Sequence, residues 1–213
     1  NGSMYAKGKS DDTLYKLSAT YNIDDDKMVY ALFSQGFRIG GVNSPRAAKT
    51  GEVGETFDAD YMDNYEIGLK SNWQDNRLRV NAQYFIMKWS DMQIAHWGGV
   101  GPWWVGGTVN AETAESAGLE IDIEYQIAEN IHLKGSAIFT DAKFTKEYVS
   151  PAGSVYRNDM IMPNSPDRKG YFGISYDKPD VAGGDLWVYY GFSFQSESWN
   201  RLGNIIDNDT NGI

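Results

Sequence analysis

From Ser116 to Ile127 the chain alternates without a break. Ala117, Leu119, Ile121, Ile123, Tyr125 and Ile127 are apolar, while Ser116, Gly118, Glu120, Asp122, Glu124 and Gln126 are polar or glycine. Side chains of a strand point alternately to two faces, so one face is apolar and the other carries three carboxylates. A helix would mix the two sets around its circumference, so the pattern predicts a strand. About a dozen residues is long for a globular strand, where about five or six is usual. It is long enough to cross a bilayer at a tilt, which takes about 9–11 residues. Leu119, Ile121 and Ile123 are expected on a convex outer face, and Glu120, Asp122 and Glu124 on a concave inner one.

The same design recurs. Residues 15–23 set Tyr15, Leu17, Ala19, Tyr21 and Ile23 against Lys16, Ser18, Thr20 and Asn22. Residues 64–73 set Tyr65, Ile67, Leu69 and Trp73 against Asn64, Glu66, Lys70 and Asn72. Residues 78–86 and 186–194 alternate likewise, and 28–39, 131–144 and 169–176 have the composition of strands. The pattern predicts about eight strands and no helix.

The connections are sorted. Residues 24–27, 74–76, 128–130 and 178–185 are rich in Asp, Asn, Gly and Pro and read as short turns. Between the hairpins lie long loops at 40–60, 90–109 and 145–166, and another opens near Trp199. A strand, short turn, strand, long loop order puts every short turn at one end of the sheet. A transmembrane barrel is built this way, with short periplasmic turns and long extracellular loops.

Composition sharpens the picture in three places. The chain has 213 residues, 14 Tyr and 7 Trp. Tyr15, Tyr21, Tyr30, Tyr61, Trp73, Trp89, Tyr125, Tyr176 and Trp187 fall near predicted strand ends, where amphipathic rings would form girdles at the membrane–water interface. A net charge of -10 argues against nucleic acid as a partner. The absence of cysteine excludes a disulfide framework and a thiolate metal site.

Five strings carry a family resemblance. Tyr30 to Asn43 reads YALFSQGFRIGGVN, Tyr65 to Ser71 reads YEIGLKS, and Asn81 to Gln93 ends in WSDMQ. Asn110 to Glu120 contains AESAGLE, and Met162 to Pro166 reads MPNSP. In this order they resemble segments of TonB-dependent outer-membrane receptors. The resemblance implies a 22-stranded antiparallel up-and-down transmembrane β-barrel, of which residues 1–213 would supply about eight strands. The N-terminal plug, the TonB box and the closing strands of that family are not recognised in the chain, which reads as an internal part of the barrel domain. The resemblance further implies residence in the outer membrane of a Gram-negative bacterium, with lipid around the barrel and TonB acting through the plug region. Its function would be energised uptake of a scarce nutrient such as a ferric siderophore, haem, cobalamin or an oligosaccharide, and not catalysis. The alternative reading from the strand pattern alone is a soluble β-sandwich or lipocalin-like binding module, with its apolar face turned inward.

Candidate cargo contacts lie at the loop end. Trp97, Trp103 and Trp104 sit in a glycine-rich segment and could stack on flat ligands or sugar rings; a loop folded over its own aromatics is the competing reading. His96 reads as a haem or metal ligand or as a surface loop residue. Arg38 could point a cation at anionic cargo or pair with a strand carboxylate. His132 and the carboxylates Glu120, Asp122 and Glu124 read as solvated lumen groups, with Lys134 as an expected partner. Asp207, Asp209 and Asn211 match the first half of a Ca²⁺ loop, whose alternate oxygens would converge on the ion. No other cofactor is implied.

Overall fold

The structure is a computed structural model that describes residues 12–98, 105–110, 113–149 and 155–198. In chain order its elements are β1 (Lys16–Asn22), β2 (Lys27–Arg38), β3 (Gly41–Val42), α1 (Pro45–Ala48), β4 (Thr56–Phe57), β5 (Asp60–Trp73) and β6 (Leu78–Ser90). There follow β7 (Gln93–Gly98), β8 (Val105–Asn110), β9 (Thr113–Ala128), β10 (Ile131–Phe144), β11 (Tyr148–Val149), β12 (Val155–Tyr156), β13 (Arg168–Val181) and β14 (Gly184–Gln195). Eight long strands form one antiparallel sheet in the order β1-β2-β5-β6-β9-β10-β13-β14. Each pairs with its neighbours in sequence, so the four tight turns share one edge and the three long loops share the other, as the sequence predicts. The short strands pair within the loops, as β3–β4, β7–β8 and β11–β12.

Register carries the two-faced pattern through the sheet. Ala19, Ala31, Ile67, Tyr84, Leu119 and Phe139 are successive partners in one row. Val29, Leu69, Ala82, Ile121, Ala137 and Gly170 form the next. A slip by one residue in any strand would turn its apolar set to the other face. The apolar side chains lie side by side on this face, with the Phe33 and Tyr65 rings 5.1 Å apart and those of Phe172 and Phe192 5.8 Å apart. Leu17, Ile67, Tyr84, Ile123, Tyr190 and Phe194 are exposed. In water such a face would be costly, at about 25 cal/mol per Å² of apolar area left uncovered.

The opposite face is polar and internally paired. Glu124 meets Lys134 at 2.8 Å and Arg79 at 3.3 Å, as its strand position predicts. The Tyr30 hydroxyl lies against Glu66 and 2.9 Å from Gln83 Oε1, while Gln83 Nε2 donates to Glu120 at 2.9 Å. His132 faces Asp177 at 3.3 Å and stays exposed. The Tyr30 ring lies directly over Gly68, where a β-carbon would collide with it. Replacing Gly68 by Ala should therefore displace Tyr30 from Glu66 and Gln83 and destabilise the sheet by about 1–3 kcal/mol. Comparing unfolding midpoints with a Tyr30→Phe variant tests this: the two variants should fall by similar amounts.

Three expectations need correction. Tyr30, Trp89 and Trp187 are not girdle residues. Tyr30 and Trp89 bond to polar-face groups, and Trp187 stacks on Tyr189, which meets Tyr171 of that face. A ring near a strand end takes its face from the parity of its position, which proximity to the end does not reveal. The chain also has one helical turn, α1. Ser44 caps it by accepting from the Ala47 N–H at 3.1 Å, and Pro45 opens it. Finally, β13 runs past Pro179 to Val181, and the turn shrinks to Ala182 and Gly183, with φ of 52° and 88°. A register shift between Lys178 and Val181 accommodates the proline, which has no N–H for the ladder.

Candidate functional site

Most of the buried apolar side chains lie at the loop end of the sheet. Ala47, Val53, Ile94, Val109, Ala114, Phe144 and Met160 form one cluster, with Trp89, Met92, Tyr148 and Met162 packed against it. The three long loops thus share a small core above the sheet. The β7–β8 hairpin continues the β6–β9 pair beyond Asp91, whose φ of 54° breaks the ladder. The third loop joins through Phe144, whose N–H donates to Met160 O at 2.9 Å.

Asp60 is the polar centre of this end. It is fully buried, at 0% exposure, and it accepts from four N–H groups on three residues. Arg38 donates to it through Nε and Nη2, Trp89 through Nε1 at 3.2 Å and Gln93 through its backbone N–H at 2.9 Å. Burial alone would push the Asp60 carboxyl up. The Arg38 guanidinium, the Gln93 amide and the Trp89 indole outweigh it and hold the group below the usual carboxylate range. The Arg38 guanidinium also lies over the Trp89 ring, 5.0 Å from its centroid, and donates to Gln93 O at 3.0 Å. Side chains of Asn43, Gln93 and Asn110 cross between the first two loops.

The sequence candidates are distributed as follows. Arg38 forms the ion pair that was weighed against cargo contact, and its side chain remains half-exposed. His96 is not at the surface: it is 4% exposed, with Nε2 3.4 Å from Glu52 Oε2. The alternation of β7 turns it inward with Ile94, and Glu52, in the segment after α1, lies against it. Trp97 lies in β7, where its backbone pairs with Gly106. Trp103, Trp104, Asp207, Asp209 and Asn211 lie outside the described residues. No group of three or more potential metal-ligating side chains occurs among the described residues. Asp60, Trp89 and Gln93 were missed as a site. Their meeting depends on which strand ends adjoin, although Trp89 and Gln93 both belong to a recognised string.

This geometry, a long-stranded two-faced sheet with a packed loop layer at one end, has counterparts among known proteins. The family model described as TonB dependent receptor-like, beta-barrel matches residues 2–212. The chain belongs to this family. TonB-dependent receptors are transport receptors and not enzymes, and the soluble sandwich or lipocalin-like alternative does not hold. A pesticin receptor of Yersinia enterocolitica is 31% identical over 122 residues, which is 57% of this chain and 17% of that protein. The ferric yersiniabactin uptake receptor of Yersinia pestis superposes with a TM-score of 0.67 at 21% identity, covering 89% of this chain and 26% of that one. The ferric preacinetobactin receptor of Acinetobacter baumannii gives 0.63 at 17% identity, again covering 89% and 26%. The chain therefore spans about a sixth of the length of the curated relatives it matches (17%). The structural likenesses support the TonB-dependent receptor barrel as the fold.

Proposed function

We propose that residues 1–213 are part of the barrel domain of an outer-membrane receptor for a ferric siderophore in a Gram-negative bacterium. Uptake would be energised by TonB through a plug region. The observation that carries this reading is the height of the apolar belt. On β6 it runs from Leu78 to Ile86 before Lys88 interrupts it. At about 3.4 Å per residue and a tilt of roughly 40°, that is about 20 Å, close to the roughly 25 Å apolar band of outer-membrane barrels. Lipid would cover this face, and the polar face would line the lumen.

The siderophore reading is supported by the likeness to the ferric yersiniabactin uptake receptor and the ferric preacinetobactin receptor. In this chain the loop layer would meet the cargo, with Trp97, Trp103 and Trp104 as contacts. Arg38 would act from its ion pair with Asp60, fixing the base of the layer and offering its exposed side to an anionic chelate. His96, being buried, would support the layer from within.

The test is binding of ferric yersiniabactin and ferric preacinetobactin to the whole receptor in detergent, followed by iron uptake in cells with and without TonB. Alanine at both Trp103 and Trp104 should weaken binding about tenfold or more, because each aromatic contact is worth roughly 1 kcal/mol, while assembly stays normal. Unchanged affinity would remove these tryptophans from the site, and uptake without TonB would remove the mechanism.

A further inference from the structure

The first long loop, residues 39–59, and the described parts of the second, residues 91–98 and 105–110, are separated in sequence by β5 and β6. We propose that they form one rigid body in which Asn43 and Asn110 are positioning residues, and that cargo capture does not part them. This rests on the reading that these loops meet cargo.

Each asparagine imitates a missing strand. Asn43, on the first loop, accepts from the Thr108 N–H through Oδ1 at 2.7 Å and donates through Nδ2 to Thr108 O at 2.8 Å. It thus makes with one residue of the second loop both bonds that a strand neighbour would make. Its Nδ2 also donates to Gly54 O at 2.9 Å, which ties the first loop to itself. Asn110, on the second loop, returns the arrangement. Its Oδ1 accepts from the Asp58 N–H at 2.8 Å, and its Nδ2 donates to Asp58 O at 3.0 Å and to Asp91 O at 2.8 Å. Gln93 adds a third crossing, with Nε2 3.0 Å from both Ile39 O and Asp58 O.

Only a side chain with donor and acceptor on one carbon can do this. Aspartate has no donor, and glutamine is one methylene longer. Between these crossings the filling is apolar: Ala47 and Val53 from one loop, Ile94 and Val109 from the other. Gly107 is part of the fit, because a β-carbon there would lie 2.8 Å from a Val53 methyl. Bonds of this kind, exposed or half-buried, contribute little singly. Arranged in reciprocal pairs around a packed centre, they fix the relative position of the loops before cargo arrives. Such preorganisation raises apparent affinity by the increase in the competent fraction.

The same close approach supplies the test. Two methyl carbons of Val53 lie 2.8 Å and 3.0 Å from a β-carbon built at Gly107, so Val53→Cys with Gly107→Cys has the spacing a disulfide needs. The chain has no other cysteine. In the whole receptor in detergent, Asn43→Ala should speed amide exchange about tenfold in both 41–57 and 105–110. Oxidising the cysteine pair in that background should restore protection in both. With ferric yersiniabactin as the probe, Asn43→Ala should weaken binding about tenfold, oxidation should rescue it, and the cysteine pair alone should bind equally well oxidised or reduced. Faster exchange confined to the first loop would overturn the proposal. So would loss of probe binding on oxidation that reduction reverses. If the unaltered receptor does not bind this probe, the cargo reading fails for that siderophore, and exchange alone decides whether the loops are one body.

Discussion

Arginine at Ile121 should abolish assembly of the receptor into the outer membrane, while asparagine at Asp122 should leave it intact. The two residues are neighbours in β9 and differ only in face. Ile121 lies between Ala82 and Ala137 in the middle of the apolar belt, and Asp122 between Asn81 and Ser136 on the polar side. An arginine at the midplane of a barrel exterior costs roughly 2–4 kcal/mol. The small residues flanking Ile121 give it no carboxylate to pair with. Asp122 meets water, and its amide isostere keeps the volume and most of the hydrogen bonding. Heat-modifiable mobility of the membrane fraction would report assembly, and equal loss in both variants would contradict the face assignment.

Removing the Asp60 carboxylate should release the loop layer. Alanine there leaves the Trp89 indole and the Gln93 N–H without an acceptor and frees Arg38. Unmatched buried donors and a broken ion pair together cost about 3 kcal/mol. Exchange of amides in 93–98 and 105–110 should accelerate by roughly a hundredfold, while strands β9 and β10 stay protected near their middles. The pH dependence has a defined sign. The folded carboxyl is held below its unfolded value, so its contribution is complete above the ordinary aspartate range, near 3.9. It is lost only as pH falls through the lower folded value. The loop layer should therefore resist mild acid and loosen in strong acid, and Asp60→Asn should flatten this dependence. A layer that loosened between neutral pH and about 5 in the native receptor would show that another group controls it.

How much of this was legible in the sequence follows from the range of each interaction. The strand 116–127 was readable because period-two alternation is local, and its neighbours were readable because short turns force adjacent pairing. The ends were less so. The strand read as 64–73 begins at Asp60, where its polar residues answer to loop partners and no longer to the pleat. The helical turn α1 had its signal in Ser44 and Pro45, but one turn leaves no periodicity to detect. His96 was misplaced because its burial comes from the chain around Glu52, on another loop. Among the candidate site residues, Arg38 was legible as one end of an ion pair, whereas its partner could be found only once β2 and β5 stood side by side.

Tight turns and long loops at opposite ends of the sheet have a consequence for how such a molecule can change. Register is anchored where the chain turns in two to four residues, at the edge away from the loops. Lengthening or rewriting a loop such as 145–167 adds only a slowly growing closure entropy and does not shift the pairing below it. Recognition can then diverge between descendants of one barrel while the walls stay fixed. The first two loops are the exception, since their stitching obliges them to change as a couple.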